Sequence, residues 1–187
     1  AVETIIDELI DLFPSRYFHI GADEVPVGAW ASSPKARALS GKLGETGSSA
    51  LQAHFLKRVQ SYMTQRGKVT GAWEEAAAGG GIDRANSYLV GWHTLEASRR
   101  LAAEGYDVVV APGQAYYLDM ANSADWHECG ASWAGCSSPE ATYAFDPVAG
   151  WSDGEKSRLM GVQACIWSEP MADPAVFDRL VFPRLSA

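Results

Sequence analysis

Residues 18–25 read FHIGADEV. A short apolar run opening at Tyr17 carries the chain to two adjacent carboxylates, Asp23 and Glu24, just past its end. Runs of this length between turn signals read as buried strands. Which fold the strand belongs to depends on whether the other strands end in the same way.

They do. The run KVTGAW at 68–73 ends on Trp73 and is followed by Glu74, and YLVGW at 88–92 ends on Trp92 beside His93. YDVVVA at 106–111 leads to Gln114, Tyr116 and Tyr117, and LMGVQACIW at 159–167 ends on Trp167 with Glu169 close behind. An open doubly wound sheet would concentrate its site at one switch point, usually beside a glycine-rich phosphate loop. The GGG at 79–81 follows a run of alanines, lacks that context and reads as a flexible loop. A barrel instead gathers its site from the carboxyl ends of many strands. The expected fold class is therefore α/β, a partial (β/α)8 TIM barrel containing about its last five strands, since five cannot close a ring of eight. Residues 1–187 are expected to form the C-terminal portion of such a barrel, opening on a helix.

The stretches between strands suit this reading. Val2, Ile5, Ile6, Leu9, Ile10 and Phe13 fall at helical spacing with the acids largely opposite, and Pro14 ends the helix. Ser48 or Ser49 can cap a second helix carrying Leu51, Phe55, Leu56, Val59, Tyr62 and Met63, stopped by Gly67. Further helices are expected over 94–104 and from about Asp173, with loops over 26–46 and 112–158. No linker or low-complexity segment divides the chain.

The composition narrows the partners. The chain has 187 residues, 47% of them hydrophobic, and a net charge of −8 with the acids scattered. That charge argues against nucleic acid and anionic membrane as partners and suits a neutral or small substrate. No apolar stretch of about 18 residues is present, and AVETIIDELI has acids where a signal peptide needs basic and apolar regions. The expectation is a cytoplasmic protein or a targeting segment outside this chain. Three cysteines, Cys129, Cys136 and Cys165, are an odd count without C-x-x-C spacing. Free thiols are expected, with a Cys129–Cys136 bridge as the alternative in an oxidising compartment. Seven Trp and seven Tyr are many for this length, and such residues often line sites that stack on flat ligand faces such as sugar rings.

Glycosidases commonly place two carboxylates on either side of the scissile bond, roughly 5–9.5 Å apart. Neighbours leaving one strand are poorly placed for that. Acting together from one side, Asp23 and Glu24 would suit a substrate that supplies its own nucleophile, one acid donating a proton and the other managing charge on a neighbouring substituent.

HIGADEV resembles the H-x-G-G-D-E signature of glycoside hydrolase family 20, the β-N-acetylhexosaminidases. GAWEE at 71–75, VGWH at 90–93, YYLDM at 116–120, SWAG at 132–135 and VQACIWSE at 162–169 resemble later motifs of that family in the same order. The resemblance implies a (β/α)8 barrel that removes terminal N-acetylglucosamine or N-acetylgalactosamine with retention. The route is substrate-assisted, through an oxazolinium formed by the 2-acetamido group. By resemblance, Glu24 is the general acid and later base. Asp23 holds the acetamido N–H and offsets the developing positive charge, and Tyr117 bonds the acetamido carbonyl. Trp73, Trp92 and Trp167 wall the acetamido methyl, Trp133 lies on the aglycone side, and Asp119 and Glu169 bind hydroxyls of the terminal sugar. Neither a cofactor nor a metal is implied, and the partner is an N-acetylhexosamine-terminated oligosaccharide or glycoconjugate.

Each implied role makes a physical demand. A general acid must hold its proton near neutral pH, which asks for burial of Glu24 beside a charged Asp23. A dry tryptophan box would press the acetamido group into attack geometry. Ala22 stands where the family often has glycine, and is expected to be tolerated if the backbone there is extended. Nothing in the chain corresponds to the sugar-binding Arg and the Asp and His pair of the family's early strands, so the isolated chain is expected to hydrolyse little or no substrate. Open barrel edges are expected to invite self-association.

Other readings compete. A metal-dependent barrel hydrolase could draw on His19, Asp23, Glu24 and His93, and a catalytically silent sugar-binding fragment is the second alternative. His19 alone reads as a core histidine with a satisfied hydrogen bond, and His93 as either lining the site or supporting Trp92. His54 and His127 read as surface groups, Trp30, Trp126 and Trp151 as packing or loop anchors. Glu74 and Glu75 read as supporting acids at a helix N-terminus.

Overall fold

The computed structural model describes residues 1–44 and 47–186, and the chain divides into two compact units. The first comprises Ala1–Val90 with Gly105–Asp107; the second comprises Gly91–Glu104 with Val108–Ala187.

In the first unit, helix α1 (Val2–Leu12) precedes strand β1 (Tyr17–His19), and helices α2 (Pro34–Leu43) and α3 (Ser48–Gln65) precede β2 (Val69–Trp73). A 3₁₀ helix over Glu74–Gly80 then leads to β3 (Ser87–Gly91), whose last residue belongs to the second unit. β1 pairs parallel with β2, Tyr17 opposite Val69 and His19 opposite Gly71, and β2 pairs parallel with β3. All five residues of β2 are buried, which explains why the run at 68–73 shows no polar alternation. α1 ends at Leu12 because the residue before a proline avoids helical geometry, and Phe13 is extended. Its Ile6 is buried against Val59 and Met63 of α3, with Ile10, Phe18, Ile20 and Tyr62 around them.

The second unit holds α4 (Leu95–Ala103), β4 (Val108–Val110), the short helices α5 (Gly113–Tyr116), α6 (Pro139–Ala144) and α7 (Asp153–Lys156), β5 (Leu159–Val162), α8 (Pro174–Val181) and a 3₁₀ turn over Arg184–Ser186. α4 starts where the Thr94 hydroxyl accepts the Ala97 N–H, and α8 where the Asp173 carboxylate accepts from Ala175 and Val176. β4 and β5 are parallel, with a register shift between Val108 and Val109. Both units thus carry parallel strands joined through helices, the pattern of a partial (β/α)8 barrel.

Three expectations need correction. The loop expected over 26–46 contains α2; residues 45 and 46 lie outside the described residues. α2 has no buried residue, so it carries none of the apolar periodicity by which helices are recognised. The expected 112–158 loop contains α5, α6 and α7, each six residues or fewer and too short to show a period. The strand expected over 159–167 is regular only to Val162. Pairing nonetheless continues, because Gln163 N donates to Val110 O (3.1 Å) and Cys165 N to Tyr116 O (2.9 Å).

Candidate functional site

In the first unit the chain keeps its pairing past the end of β1. Ile20 N donates to Gly71 O (2.9 Å) and Trp73 N to Gly21 O (3.0 Å). It then turns sharply, with positive φ at Gly21 (76°), Ala22 (85°) and Glu24 (50°). The turn folds the Asp23 carboxylate back, its Oδ1 lying 3.6 Å from where a Cβ on Gly21 would sit. Gln52 of α3 donates to Ala22 O (2.8 Å) and ties the turn down. Asp23 and Glu24 are both exposed within the described residues.

His19 supports this turn from below. Its Nδ1 accepts the Gly21 N–H (3.2 Å), and its ring stands edge-on to Trp73 with centroids 5.0 Å apart. Desolvation holds its pKa below the ordinary histidine value, against the opposing pull of the Asp23 charge and the Ala72 backbone. A neutral imidazole with Nδ1 as acceptor fits that bond. The expected hydrogen bond is present, its partner being the backbone of the acid-bearing turn, but the histidine is exposed rather than in the core.

Ala22 departs from expectation, because its backbone is left-handed rather than extended. An L-residue in that region is strained by roughly 1–2 kcal/mol, part of which a glycine would return through its freer unfolded chain. Ala22→Gly is expected to stabilise the protein by about 0.5–1 kcal/mol. Urea denaturation reads this directly, and an unchanged or lower midpoint would count against a strained turn.

The second unit gathers a different set of groups. Trp92 follows Gly91, and its carbonyl accepts from Gly113 N (2.8 Å). Tyr117 and Asp119 sit on a segment held on both sides. Leu118 N donates to Cys165 O (2.8 Å) on one side, and Ala131 N to Asp119 O (2.8 Å) on the other. Residues 117–120 form a turn closed by Met120 N donating to Tyr117 O (3.2 Å), with Leu118 and Asp119 at its centre.

Tyr117 is the hub of an aromatic cluster. Its ring lies 6.2 Å from Trp92 and near parallel to it, 5.4 Å from Trp133 edge-on, and 6.1 Å from Trp167. Trp92 and Trp133 also meet edge-on at 5.7 Å. Gly113 permits this packing, since a Cβ there would come within 2.5 Å of the Trp133 ring. Trp92 and Tyr117 are buried, whereas Trp133 (55%) and Trp167 (39%) are exposed and offer open indole faces. Burial first, and the neighbouring Cys165 and Asp119 next, push the Tyr117 phenol well above its ordinary range, so it remains an O–H donor.

Asp119 is 2% exposed, and its Oδ1 is buried without a hydrogen-bond partner. Burial raises its pKa and the Glu169 charge adds to this, while backbone N–H groups and Arg184 oppose it. A buried carboxylate oxygen without a donor is costly and marks a place where a ligand donor is wanted.

Of the expected residues, the second unit brings together Trp92, Tyr117, Trp133, Trp167 and Asp119, with Glu169 exposed nearby. Trp73, Asp23 and Glu24 belong to the first unit, where Trp73 packs on His19. His93 stacks on Trp92 at 3.6 Å, consistent with a supporting role. Among the described residues no group of three His, Cys, Asp or Glu side chains is placed to hold a metal ion. All three cysteines are free. Reading the sequence missed Arg184, which lies in an apolar run and bonds the backbone on both sides of Asp119; no local signal points to it.

Comparison with known proteins places these motifs. The model of the glycosyl hydrolase family 20 catalytic domain matches residues 1–187. A β-hexosaminidase of Vibrio furnissii is 34% identical over 188 residues, covering 100% of this chain and 31% of that protein. The exo-β-N-acetylglucosaminidase of Vibrio harveyi, solved in complex with N-acetylglucosamine, superposes with a TM-score of 0.92 at 36% identity over 99% of this chain and 29% of its own. The N-acetyl-β-hexosaminidase of Streptomyces plicatus, solved with Thio-NAglucal, gives 0.73 at 30% identity over 98% of this chain and 34% of its own. The chain thus spans about a third of the length of the curated relatives it matches. Family 20 catalytic domains are (β/α)8 barrels, and the parallel strands seen here are part of one. The chain belongs to glycosyl hydrolase family 20, the match to the family's catalytic domain taking in residues 1–187.

Proposed function

We propose that residues 1–187 supply the C-terminal portion of the catalytic barrel of a retaining exo-β-N-acetylhexosaminidase. Its substrates are oligosaccharides or glycoconjugates ending in N-acetylglucosamine or N-acetylgalactosamine. In this reading the 2-acetamido oxygen attacks C1 while Glu24 gives its proton to the departing oxygen, and Glu24 then takes a proton from the water that opens the oxazolinium. Asp23 holds the acetamido N–H and offsets the positive charge. Tyr117 donates to the acetamido oxygen, Trp73, Trp92 and Trp167 wall its methyl group, and Trp133 offers a face to the aglycone. Asp119 and Glu169 take hydroxyls of the terminal sugar.

The observation that carries the reading is the buried, unpartnered Oδ1 of Asp119, two residues beyond the Tyr117 ring that packs on the exposed Trp133 and Trp167. A terminal sugar offers what that combination lacks, a hydroxyl donor and an apolar ring face. Relatives named β-hexosaminidase and a neighbour solved with N-acetylglucosamine support the same substrate class.

The test compares two substrates with one aglycone. The full-length protein should hydrolyse 4-nitrophenyl N-acetyl-β-glucosaminide and leave 4-nitrophenyl β-glucoside untouched, because only the first carries the internal nucleophile. Equal turnover of both, or loss of activity with a chelator, would favour a different mechanism. The isolated 187-residue chain should show little or no turnover in the same assay.

A further inference from the structure

Arg184 sits in the 3₁₀ turn after α8 and is only 2% exposed. Its partners are backbone carbonyls from three separate stretches of the second unit. Nε donates to Leu180 O (2.8 Å), Nη1 to Ser137 O (3.0 Å), and Nη2 to Leu118 O (2.7 Å) and Met120 O (2.9 Å). Two of the carbonyls bonded by Nη2, those of Leu118 and Met120, flank Asp119, whose own carbonyl is held by Ala131 N. Three consecutive peptide carbonyls are thus fixed, so the backbone at 119 has no freedom to rotate. The direction of the Asp119 side chain is set by that clamp.

The side-chain chemistry fits the task. A guanidinium offers a rigid planar fork of donors that can serve several acceptors at once, which an ammonium on a flexible stem does not reproduce. Burying a cation among neutral carbonyls is costly. Burial pulls the Arg184 pKa down, and the charges of Asp119 and Glu128 push it back up. A turn that needed only to be packed would be held at lower cost by an apolar side chain.

We infer that Arg184 is a positioning residue for recognition of the terminal sugar, acting through Asp119 without touching substrate itself. The inference rests on the proposed hexosaminidase reading. A misplacement of about 1 Å at a reacting or binding group can cost on the order of 100-fold, so a clamp of this kind is expected to show in affinity and turnover rather than in folding alone.

The experiment is a double-mutant cycle in the full-length protein, read by calorimetric binding of N-acetylglucosamine and by kcat/KM for 4-nitrophenyl N-acetyl-β-glucosaminide. Arg184→Lys is expected to weaken both by about 10- to 100-fold. In an Asp119→Asn background the same change is expected to add less than about 3-fold, because the group through which it acts is already gone. A purely structural arginine would give the same loss in both backgrounds, and that result overturns the inference. Should Arg184→Lys not fold, Arg184→Gln, which keeps a planar amide donor, is read in the same way; failure of both to fold makes Arg184 a folding determinant and also overturns it. A wild type that neither binds nor turns over sinks the hexosaminidase reading, and the inference with it. A wild type that binds, alongside a lysine variant that binds equally well, sinks the inference alone.

Discussion

Glu24→Gln in the full-length protein is expected to lower turnover of a disaccharide ending in N-acetylglucosamine by about 10²- to 10⁴-fold, the usual range for removing a general acid or base. Binding of N-acetylglucosamine should change little, because glutamine keeps the size and polarity of the side chain and loses only its proton. The substrate dependence makes the prediction specific. A sugar leaving group departs poorly as an alkoxide and needs the proton, whereas 4-nitrophenolate departs without one. For the aryl substrate the first step should therefore suffer less, and the remaining loss should lie in the water attack that opens the oxazolinium. Equal losses on both substrates would argue against proton donation by Glu24. Disaccharide turnover within about threefold of wild type would remove Glu24 from the mechanism altogether.

The backbone that carries Glu24 bears on this expectation. Glu24 and Ala22 both take positive φ, and Gly21 between β1 and the acids does the same. Residues other than glycine persist in such conformations only where their surroundings over-determine them, and such strain collects at functional sites. Here the surroundings are named: His19 Nδ1 holds the Gly21 N–H, the Gly21 carbonyl holds Trp73 N, and Gln52 holds the Ala22 carbonyl. The acids sit on a turn fastened at three points, so Glu24→Gln alters chemistry on a fixed backbone.

What the sequence reveals follows from how local each signal is. The carboxyl ends of the strands could be read because a strand and its last side chain are neighbours in sequence: Trp73 ends β2 and Trp92 directly follows β3, whereas Trp167 lies five residues past the end of β5. α2 was also announced locally, by Ser33 capping the Ala36 N–H, Pro34 at the first helical position and Gly44 in a left-handed stop. It is overlooked because an exposed helix has no apolar stripe to find. α7 likewise carries a complete capping box between Ser152 and Glu155. The Ala22 conformation and the Arg184 clamp are of another kind. The first is imposed by bonds from β2 and α3, and the second joins Arg184 to residues more than forty positions away. Neither leaves a pattern in the neighbouring residues, and both bear on the side chains proposed to do the chemistry.

Asp119→Asn should separate stability from function. The buried Asp119 carboxyl has a raised pKa, so the native state holds its proton more tightly than the unfolded chain does. The sign follows: any stability from this group is present in full below the unfolded pKa, near 3.9, and is lost as pH rises through the higher native value. The ionised carboxylate therefore burdens the fold, with one oxygen buried and unpartnered. The neutral amide removes that charge, and the variant is expected to melt at a higher temperature than wild type at pH 7, with the gap closing toward pH 4. Sugar affinity should move the opposite way. A hydrogen bond to a charged group contributes about 1.5–3 kcal/mol, and its loss corresponds to about 10- to 100-fold weaker binding of N-acetylglucosamine. Thermal melts at the two pH values, paired with calorimetric titration of the sugar, read both arms. A variant that is less stable at pH 7 yet binds as tightly as wild type would make Asp119 an internal structural acid, whereas a more stable and weaker-binding one shows a carboxylate retained for its ligand at the expense of the fold.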